Sequence, residues 1–173
     1  MIRFGTVIAA LAVAGLSGSA AATPLWQNVE SGMTAAQIKR AQPSAQTSDN
    51  PDPLGNGATC DFTIPTLAIG TDEYRVCFFM LHGRLVEVML TANNPNEAMF
   101  RETINLLRSK YGPELGAGEP LCKPGLMTMC EASWALKSGV NVDAVFDRME
   151  GYDPNPVFNI VYQTRIAADA SKL

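Results

Sequence analysis

The sequence predicts an α+β fold in which helices pack on one face of an antiparallel sheet. Apolar and polar residues alternate with period two in several segments joined by short turns, a pattern typical of hairpin-linked strands. Two other segments carry helix-capping signals, and one of them has an apolar stripe of helical period that needs a sheet to cover it. The elements follow one another in the order α-β-β-β-α-β-β-β, one unit repeated.

The first 22 residues have the three parts of a secretory signal peptide. A positively charged start, Met1-Ile2-Arg3, precedes an apolar run from Phe4 to Leu16, and the small residues from Ser17 to Ala22 form a cleavage site. The run is shorter than the about 20 residues that an ordinary membrane-spanning helix needs. No cysteine follows the cleavage region, so we expect no stable membrane anchor. The expected product is periplasmic or secreted, with a single domain over residues 23–173.

The charge of the chain argues against nucleic acid and anionic lipid surfaces as partners. The chain has 13 basic and 17 acidic residues. Residues 1–22 hold one of the basic residues and none of the acidic ones, which leaves 12 against 17, a net charge of −5. A mildly acidic domain without a basic patch binds polyanions poorly. No Gly-rich phosphate loop or dinucleotide-binding pattern occurs, so no cofactor is expected.

Four cysteines occur, and export to an oxidising compartment favours disulfides. Four cysteines allow three pairings, and their spacing favours the local one, which joins Cys60 to Cys77 and Cys122 to Cys130. Each pair flanks a predicted turn between strands. The alternative is a four-cysteine zinc site, which the spacing disfavours because no C-x-x-C pair is present.

The first helix is predicted to begin after Thr34 and to end before Pro43. Thr34 is a natural N-cap, and Gln37 follows three residues later, which is the capping-box pattern. Proline cannot continue a helix. Residues 43–58 are rich in Pro, Ser, Asn, Asp and Gly and predict a long surface loop.

Three strands are predicted next, at about 58–64, 74–81 and 84–91. His82-Gly83 forms a two-residue turn between the last two, in which glycine supplies a positive φ. Pairing across that turn sets Phe79 opposite Val86 and Cys77 opposite Val88.

Period-two alternation then divides these strands into two faces. One face is predicted to hold Cys77, Phe79, Leu81, Val86, Val88 and Leu90. The other face is also more apolar than a solvated sheet requires, which makes it a candidate binding face. Its members are Val76, Phe78, Met80, Leu85, Glu87 and Met89.

The second helix has clear signals at both ends. Asn94 is the predicted N-cap, Pro95 occupies the first turn, and Gly112 provides the stop. Its apolar stripe consists of Phe100, Ile104, Leu107 and Tyr111.

Three further strands are predicted at about 127–137, 140–149 and 157–165. Residues 137–139 turn the first hairpin and residues 151–156 the second. Because hairpins link all of these strands, the sheet is expected to be antiparallel.

Residues from Trp26 to Pro43, with Gly32-Met33-Thr34 and Gln37-Ile38 among them, resemble the opening of small envelope proteins of the SmpA/OmlA type. The stretch from Leu107 to Pro113 is similar to the same broad group of exported proteins. Those of the SmpA/OmlA type are outer-membrane assembly lipoproteins with a fold similar to that of β-lactamase inhibitor proteins. The resemblance implies a binding protein and not an enzyme. This chain lacks their lipid-acceptor cysteine, so the resemblance does not extend to outer-membrane anchoring.

The sequence has no recognisable catalytic centre. Its single histidine, His82, lies in the predicted turn, and neither G-x-S-x-G nor H-E-x-x-H occurs. Asp61 and Glu87 could face each other as paired carboxylates, but solvated or ion-paired acids are the more common outcome. Met127 and Met129 are similar to exported thioether ligands of metals, but as alternate strand residues they are expected to pack.

We therefore expect a non-catalytic envelope module that binds another envelope protein. Two alternatives stay open. A carrier of a small apolar ligand between sheet and helix is supported by the second apolar sheet face. A hydrolase without a recognisable motif would need a concave pocket with convergent polar groups.

Overall fold

The computed structural model describes residues 23–49, 51, 53–118, 121–123, 127–149 and 153–165. The predicted signal peptide, residues 1–22, lies outside the described residues. The prediction of an α+β fold with a large antiparallel sheet is confirmed. The elements are β1 (Pro24–Trp26), β2 (Val29–Glu30), α1 (Ala35–Ala41), β3 (Gln46–Thr47), β4 (Thr59–Ile69), β5 (Asp72–Leu81), β6 (Arg84–Ala92), α2 (Glu97–Tyr111), β7 (Cys122–Lys123), β8 (Met127–Ala135), β9 (Val140–Met149) and β10 (Asp153–Thr164).

Eight strands form one antiparallel sheet in the order β3-β4-β5-β6-β10-β9-β8-β7. Hairpins between consecutive strands build each half, and the last strand, β10, joins the halves by pairing with β6. This pairing sets Thr91 opposite Asn159, and the Thr91 hydroxyl donates to the Asn159 side-chain carbonyl at 2.8 Å. The strands β1 and β2 form a separate two-stranded sheet.

Both helices contribute to one core against the large sheet. Ile38 of α1 is fully buried in this core. Phe100 of α2 makes an edge-to-face contact with Phe158 of β10, at 5.5 Å between ring centroids, and lies 6.1 Å from the ring of Phe146 of β9. The α2 residues buried in the core are Met99, Phe100, Thr103, Ile104 and Leu107.

The helices begin at N-caps, one of them displaced from its predicted position. Thr34 precedes α1, and its backbone N–H donates to Gln37 Oε1 at 2.8 Å, as the capping-box pattern predicts. The predicted cap of α2 is wrong, because Asn96 and not Asn94 accepts from the N–H of Met99, at 3.0 Å. Both asparagines are good N-cap residues, so the local sequence does not choose between them. Among the described residues, neither helix combines the length and apolar character that crossing a membrane requires.

The end of α2 is fixed by contacts to the following chain. Gly112 has a φ of +84°, which favours glycine, and its carbonyl accepts from the indole N–H of Trp134 at 2.8 Å. Two residues on, the buried Glu114 carboxylate accepts from Arg108 Nε at 2.7 Å. The Arg108 guanidinium lowers the pKa of Glu114 to about 2. The segment after the helix is therefore held against α2 and β8.

The two-residue turn at His82-Gly83 is confirmed, with φ values of +50° and +73°. The register beyond it is not the predicted one. Met80 pairs with Leu85 but Phe79 pairs with Glu87, so Val86 is an extra residue in a β-bulge. Phe79 therefore lies opposite Glu87 and not Val86, and Cys77 lies opposite Met89 and not Val88. A one-residue shift of this kind moves every later side chain of the strand to the other face.

Several strand limits also differ from the prediction. The strands β4 and β5 are longer than predicted, and a tight turn at Gly70-Thr71 joins them. The strand β10 begins at Asp153, so residues 153–156 are not a turn. The predicted surface loop at 43–58 contains β3, which pairs with β4. The strands β1, β2, β3 and β7 have two or three residues each, which is too short for a period to show in the sequence.

Both predicted disulfides are present. Cys60–Cys77 joins β4 to β5, with Cα atoms 5.7 Å apart, and Cys122–Cys130 joins β7 to β8, with Cα atoms 3.9 Å apart. Cys60 and Cys77 are buried in a second small cluster with Ala58 and Phe79, separate from the helix-side core. Two disulfides fit an oxidising compartment outside the cytoplasm.

Candidate functional site

The large sheet has a second face, on the side opposite the helices. Phe158, Ile160 and Tyr162 of β10 are buried in the helix-side core, so the alternate residues of β10 point to the other side. Cross-strand pairs extend this surface onto β6, β9 and β8. We call it the open face, and its members are Glu87, Met89, Thr91, Met129, Glu131, Ser133, Ala135, Asn141, Asp143, Val145, Asp147, Val157, Asn159, Val161 and Gln163.

The open face is solvent-accessible over most of its area. All of its members except Glu87 are exposed or partly exposed. The same side of the sheet is covered only on β4 and β5, among the described residues. There Leu54 and Ala58 pack with the Cys60–Cys77 disulfide. The chain that follows β3 therefore closes one end of this side of the sheet and leaves the β6-β10-β9-β8 part accessible.

The predicted binding face does not form a single surface. Four of its six residues, Val76, Phe78, Met80 and Leu85, are buried in the core beneath the helices. Only Glu87 and Met89 lie on the open face, because the bulge at Val86 reverses the alternation of β6. The four buried residues hold the sheet in place and are not available to a partner.

Exposed apolar side chains lie in one row of the open face. Val157 of β10 pairs with Asp147 of β9, which pairs in turn with Met129 of β8. Val157 is 45% exposed and Met129 is 37% exposed. The expectation that Met129 packs is therefore wrong, because β8 turns this side chain away from the core. The side chain of Met127 lies outside the described residues.

Two carboxylates and an amide lie close together at one end of the open face. Gln163 pairs with Glu87 of β6, and its side-chain N–H₂ group donates to Asp143 Oδ2 of β9 at 3.4 Å. Glu87 is only 8% exposed. Burial raises the pKa of Glu87, and the charge of Asp143 raises it further. Ionisation of this carboxyl is therefore less favourable in the folded protein than in the unfolded chain.

We expect Glu87→Gln to raise the free energy of unfolding at neutral pH and to leave it nearly unchanged in acid. Because the folded pKa is raised, the contribution of Glu87 to stability is fully present below the unfolded pKa and is lost as the pH rises through the folded pKa. Glutamine cannot ionise, so the advantage of the variant grows over that window. Urea titrations between about pH 4 and about pH 8 measure this difference.

The variant Glu131→Gln controls for the loss of one acidic side chain, because Glu131 is an exposed glutamate of the same face. A difference between Glu87→Gln and the wild type that stays constant across the pH range would contradict the assignment of a raised pKa to Glu87.

Sequence reasoning missed most of the open face. The face of β9 that lies on this surface could have been predicted from the alternation of its residues. Those on the open face, Asn141, Asp143, Val145 and Asp147, alternate with the buried Val140, Val142, Ala144 and Phe146. The missing information was the pairing of β10 with β6, which joins this polar row to Glu87.

The other chemistry-bearing residues do not form a catalytic arrangement with the open face. His82 lies in the turn and is exposed. Asp61 accepts from the Thr59 hydroxyl at 2.6 Å. The carboxylate whose charge acts on Glu87 is Asp143 and not Asp61. Within the described ranges, no three His, Cys, Asp or Glu side chains lie close enough together to hold a metal ion.

Comparison of the chain with protein-family models, curated proteins and solved structures finds no match.

Proposed function

We propose that the protein is an exported, non-catalytic module of the cell envelope that binds another envelope protein through its open face. The signal-peptide pattern of residues 1–22 and the resemblance of residues 26–43 to SmpA/OmlA-type proteins support the envelope. The two disulfides are in keeping with an oxidising compartment.

The row of Val157, Asp147 and Met129 is the observation that carries this proposal. Val157 and Met129 are exposed on either side of Asp147 in one cross-strand row. Protein interfaces combine apolar side chains that lose their water with polar side chains at a rim that stays accessible. Two exposed apolar side chains in one row indicate a contact site more strongly than apolar residues scattered singly over a surface.

The charge of the open face indicates the chemistry of the partner. Glu131, Asp143 and Asp147 lie on neighbouring strands in the same half of the face. Arg75 and Arg165 lie at its margins, the first opposite Thr91 and the second hydrogen-bonded to Asn141. The partner is therefore expected to present lysine or arginine side chains around an apolar centre, since complementary charge speeds association and fixes orientation.

The scaffold favours recognition without folding on binding. Strands β6, β10, β9 and β8 are continuously paired, and the opposite side of the same strands is buried in the core. Side chains on paired strands are held in position more firmly than those on loops. Binding here does not require the chain to become ordered, so little of the interaction energy is lost to conformational entropy.

The test is photo-crosslinking from two exposed apolar positions. A benzophenone-bearing amino acid replaces Met129 in one variant and Leu106 in the other, and each purified protein is irradiated with an envelope extract. Leu106 is 54% exposed and belongs to α2, on the helix side of the sheet, which makes it the matched control. We expect one discrete protein adduct from position 129 and none from position 106.

Two further measurements separate a specific contact from general adhesion. The yield of adduct is expected to fall by about tenfold when Asp147→Lys is added, because the charge facing a basic partner is reversed. It is also expected to fall between about 0.15 M and about 1 M salt, where screening shortens from about 8 Å to about 3 Å. The same adducts from both positions, or an adduct indifferent to Asp147→Lys, would contradict binding through the open face.

A further inference from the structure

A groove of about 260 Å³ lies on the helix side of the sheet, remote from the open face. Buried Leu90 of β6 and Ile160 of β10 line its base. Leu106 and Leu107 of α2 line one side, and Trp26 of β1 and Ile69 of β4 add to the apolar lining. Because Leu90 and Ile160 point toward the helices, an occupant of this groove does not touch the open face.

The side chains that α2 contributes to the groove lie on one stripe. Thr103, Leu106, Leu107 and Lys110 follow the spacing i, i+3, i+4 and i+7, which places them on one side of a helix. Seven residues of helix span about 10 Å. The groove therefore runs along two turns of α2, from a hydroxyl at one end to an ammonium group at the other.

An apolar side chain is left in water at this groove. Leu106 is 54% exposed, although Leu107 beside it is buried. Covering an exposed leucine with an apolar chain removes its surface from water and is favourable.

The two ends of the groove differ in what they offer a polar group. At the inner end, the Thr103 hydroxyl is already bonded to the Tyr74 hydroxyl at 2.9 Å. At the outer end, the Tyr162 hydroxyl is bonded to Tyr111, whereas Lys110 Nζ lies 5.0 Å from the ring centroid of Tyr111 and forms no ion pair with a carboxylate of the described residues. The site that suits an anionic group is therefore at Lys110.

We propose that this groove binds a single-chain anionic amphiphile, a medium-chain fatty acid, with the chain along α2 and the carboxylate at Lys110. The volume of about 260 Å³ is below that of sites for drug-sized molecules, which are about 300–1,000 Å³, and suits one short chain. The site is independent of the proposed protein-binding face, and the two can be occupied together.

The test uses quenching of tryptophan fluorescence by terminally brominated decanoic acid, because bromine on the chain quenches an indole that it contacts. The protein has two tryptophans. Trp26 lines the groove, whereas Trp134 is buried beside Gly112 and is not part of the lining. We expect saturable quenching in the wild type and a loss of most of it in Trp26→Phe, whose remaining tryptophan does not line the groove.

A matched pair of variants locates the binding site. Leu106→Glu places a carboxylate in the groove and is expected to weaken binding more than tenfold, and the exposure of Leu106 lets the fold tolerate it. Leu115→Glu makes the same replacement at an exposed leucine outside the groove and is expected to leave the affinity unchanged.

A second comparison tests the role of charge. Lys110→Gln is expected to weaken binding of the brominated acid about fivefold and to leave binding of the brominated alcohol of equal length unchanged. Absence of saturable quenching in the wild type, or equal losses from Leu106→Glu and Leu115→Glu, would overturn the site. Equal behaviour of acid and alcohol in Lys110→Gln would overturn the anionic ligand.

Discussion

Phe100→Ala is expected to lower the free energy of unfolding by about 3–5 kcal/mol. Phe100 is fully buried, and its ring contacts Phe158 and Phe146 on two neighbouring strands. Truncation removes the apolar area and leaves a cavity between α2 and the sheet, where paired strands cannot collapse to fill it. The loss of two aromatic contacts adds to the cost. Urea titration at neutral pH, followed by circular dichroism, measures the change.

Arg101→Ala is the matched control, because Arg101 is the next residue of α2 and its side chain is 66% exposed. Its ion pair with Glu97 at 3.7 Å is a surface pair, so its removal is expected to cost under about 0.5 kcal/mol. Equal, small losses from the two variants would show that α2 does not cover the sheet at this position.

Replacing Cys60 and Cys77 together by alanine is expected to cost about 2–5 kcal/mol. The disulfide closes a loop with a sequence separation of 17 and restricts the unfolded chain, which a chain-entropy model values at about 3 kcal/mol. Both sulfur atoms also lie in a buried cluster with Ala58 and Phe79, so the double variant loses packing as well. Thermal and urea unfolding of the double variant and the wild type compare the two directly.

The pair Cys122–Cys130 provides the control, since its sequence separation is only 8 and it lies on the edge strand β7. Replacing both of these cysteines by alanine is expected to cost less than the Cys60/Cys77 change. A greater loss at the edge would mean that the cluster around Cys60 adds nothing to the stability of the fold.

The local features of this fold could be predicted from the sequence. The turn at His82-Gly83 has a strong turn signal, and both disulfides follow from short spacing across turns. The stripe from Phe100 to Leu107 has the helical period, and its residues are buried. Each of these predictions depends on residues close together in the chain, where backbone preferences and side-chain spacing are sufficient.

The candidate site could not be predicted in the same way, because it depends on two long-range facts. A single extra residue, Val86, exchanges the two faces of β6, and bulges have no reliable sequence signal. The second fact is that β10 pairs with β6. The sequence of β10 would allow several strands as neighbours, and the packing of the whole core selects β6. The predicted binding face therefore grouped Glu87 and Met89 with four residues that lie on the opposite side of the sheet.

The central position of β10 has a consequence for how the molecule is made. A nascent chain that ends before residue 153 has two groups of hairpin-linked strands, and β6 and β9 are unpaired at the edges between which β10 later inserts. Joining them requires contacts such as Thr91 with Asn159, which are 68 positions apart. The sheet therefore cannot close before β10 has been synthesised, and its two halves stay separate until that strand is available. Both the open face and the groove come into existence only at that step.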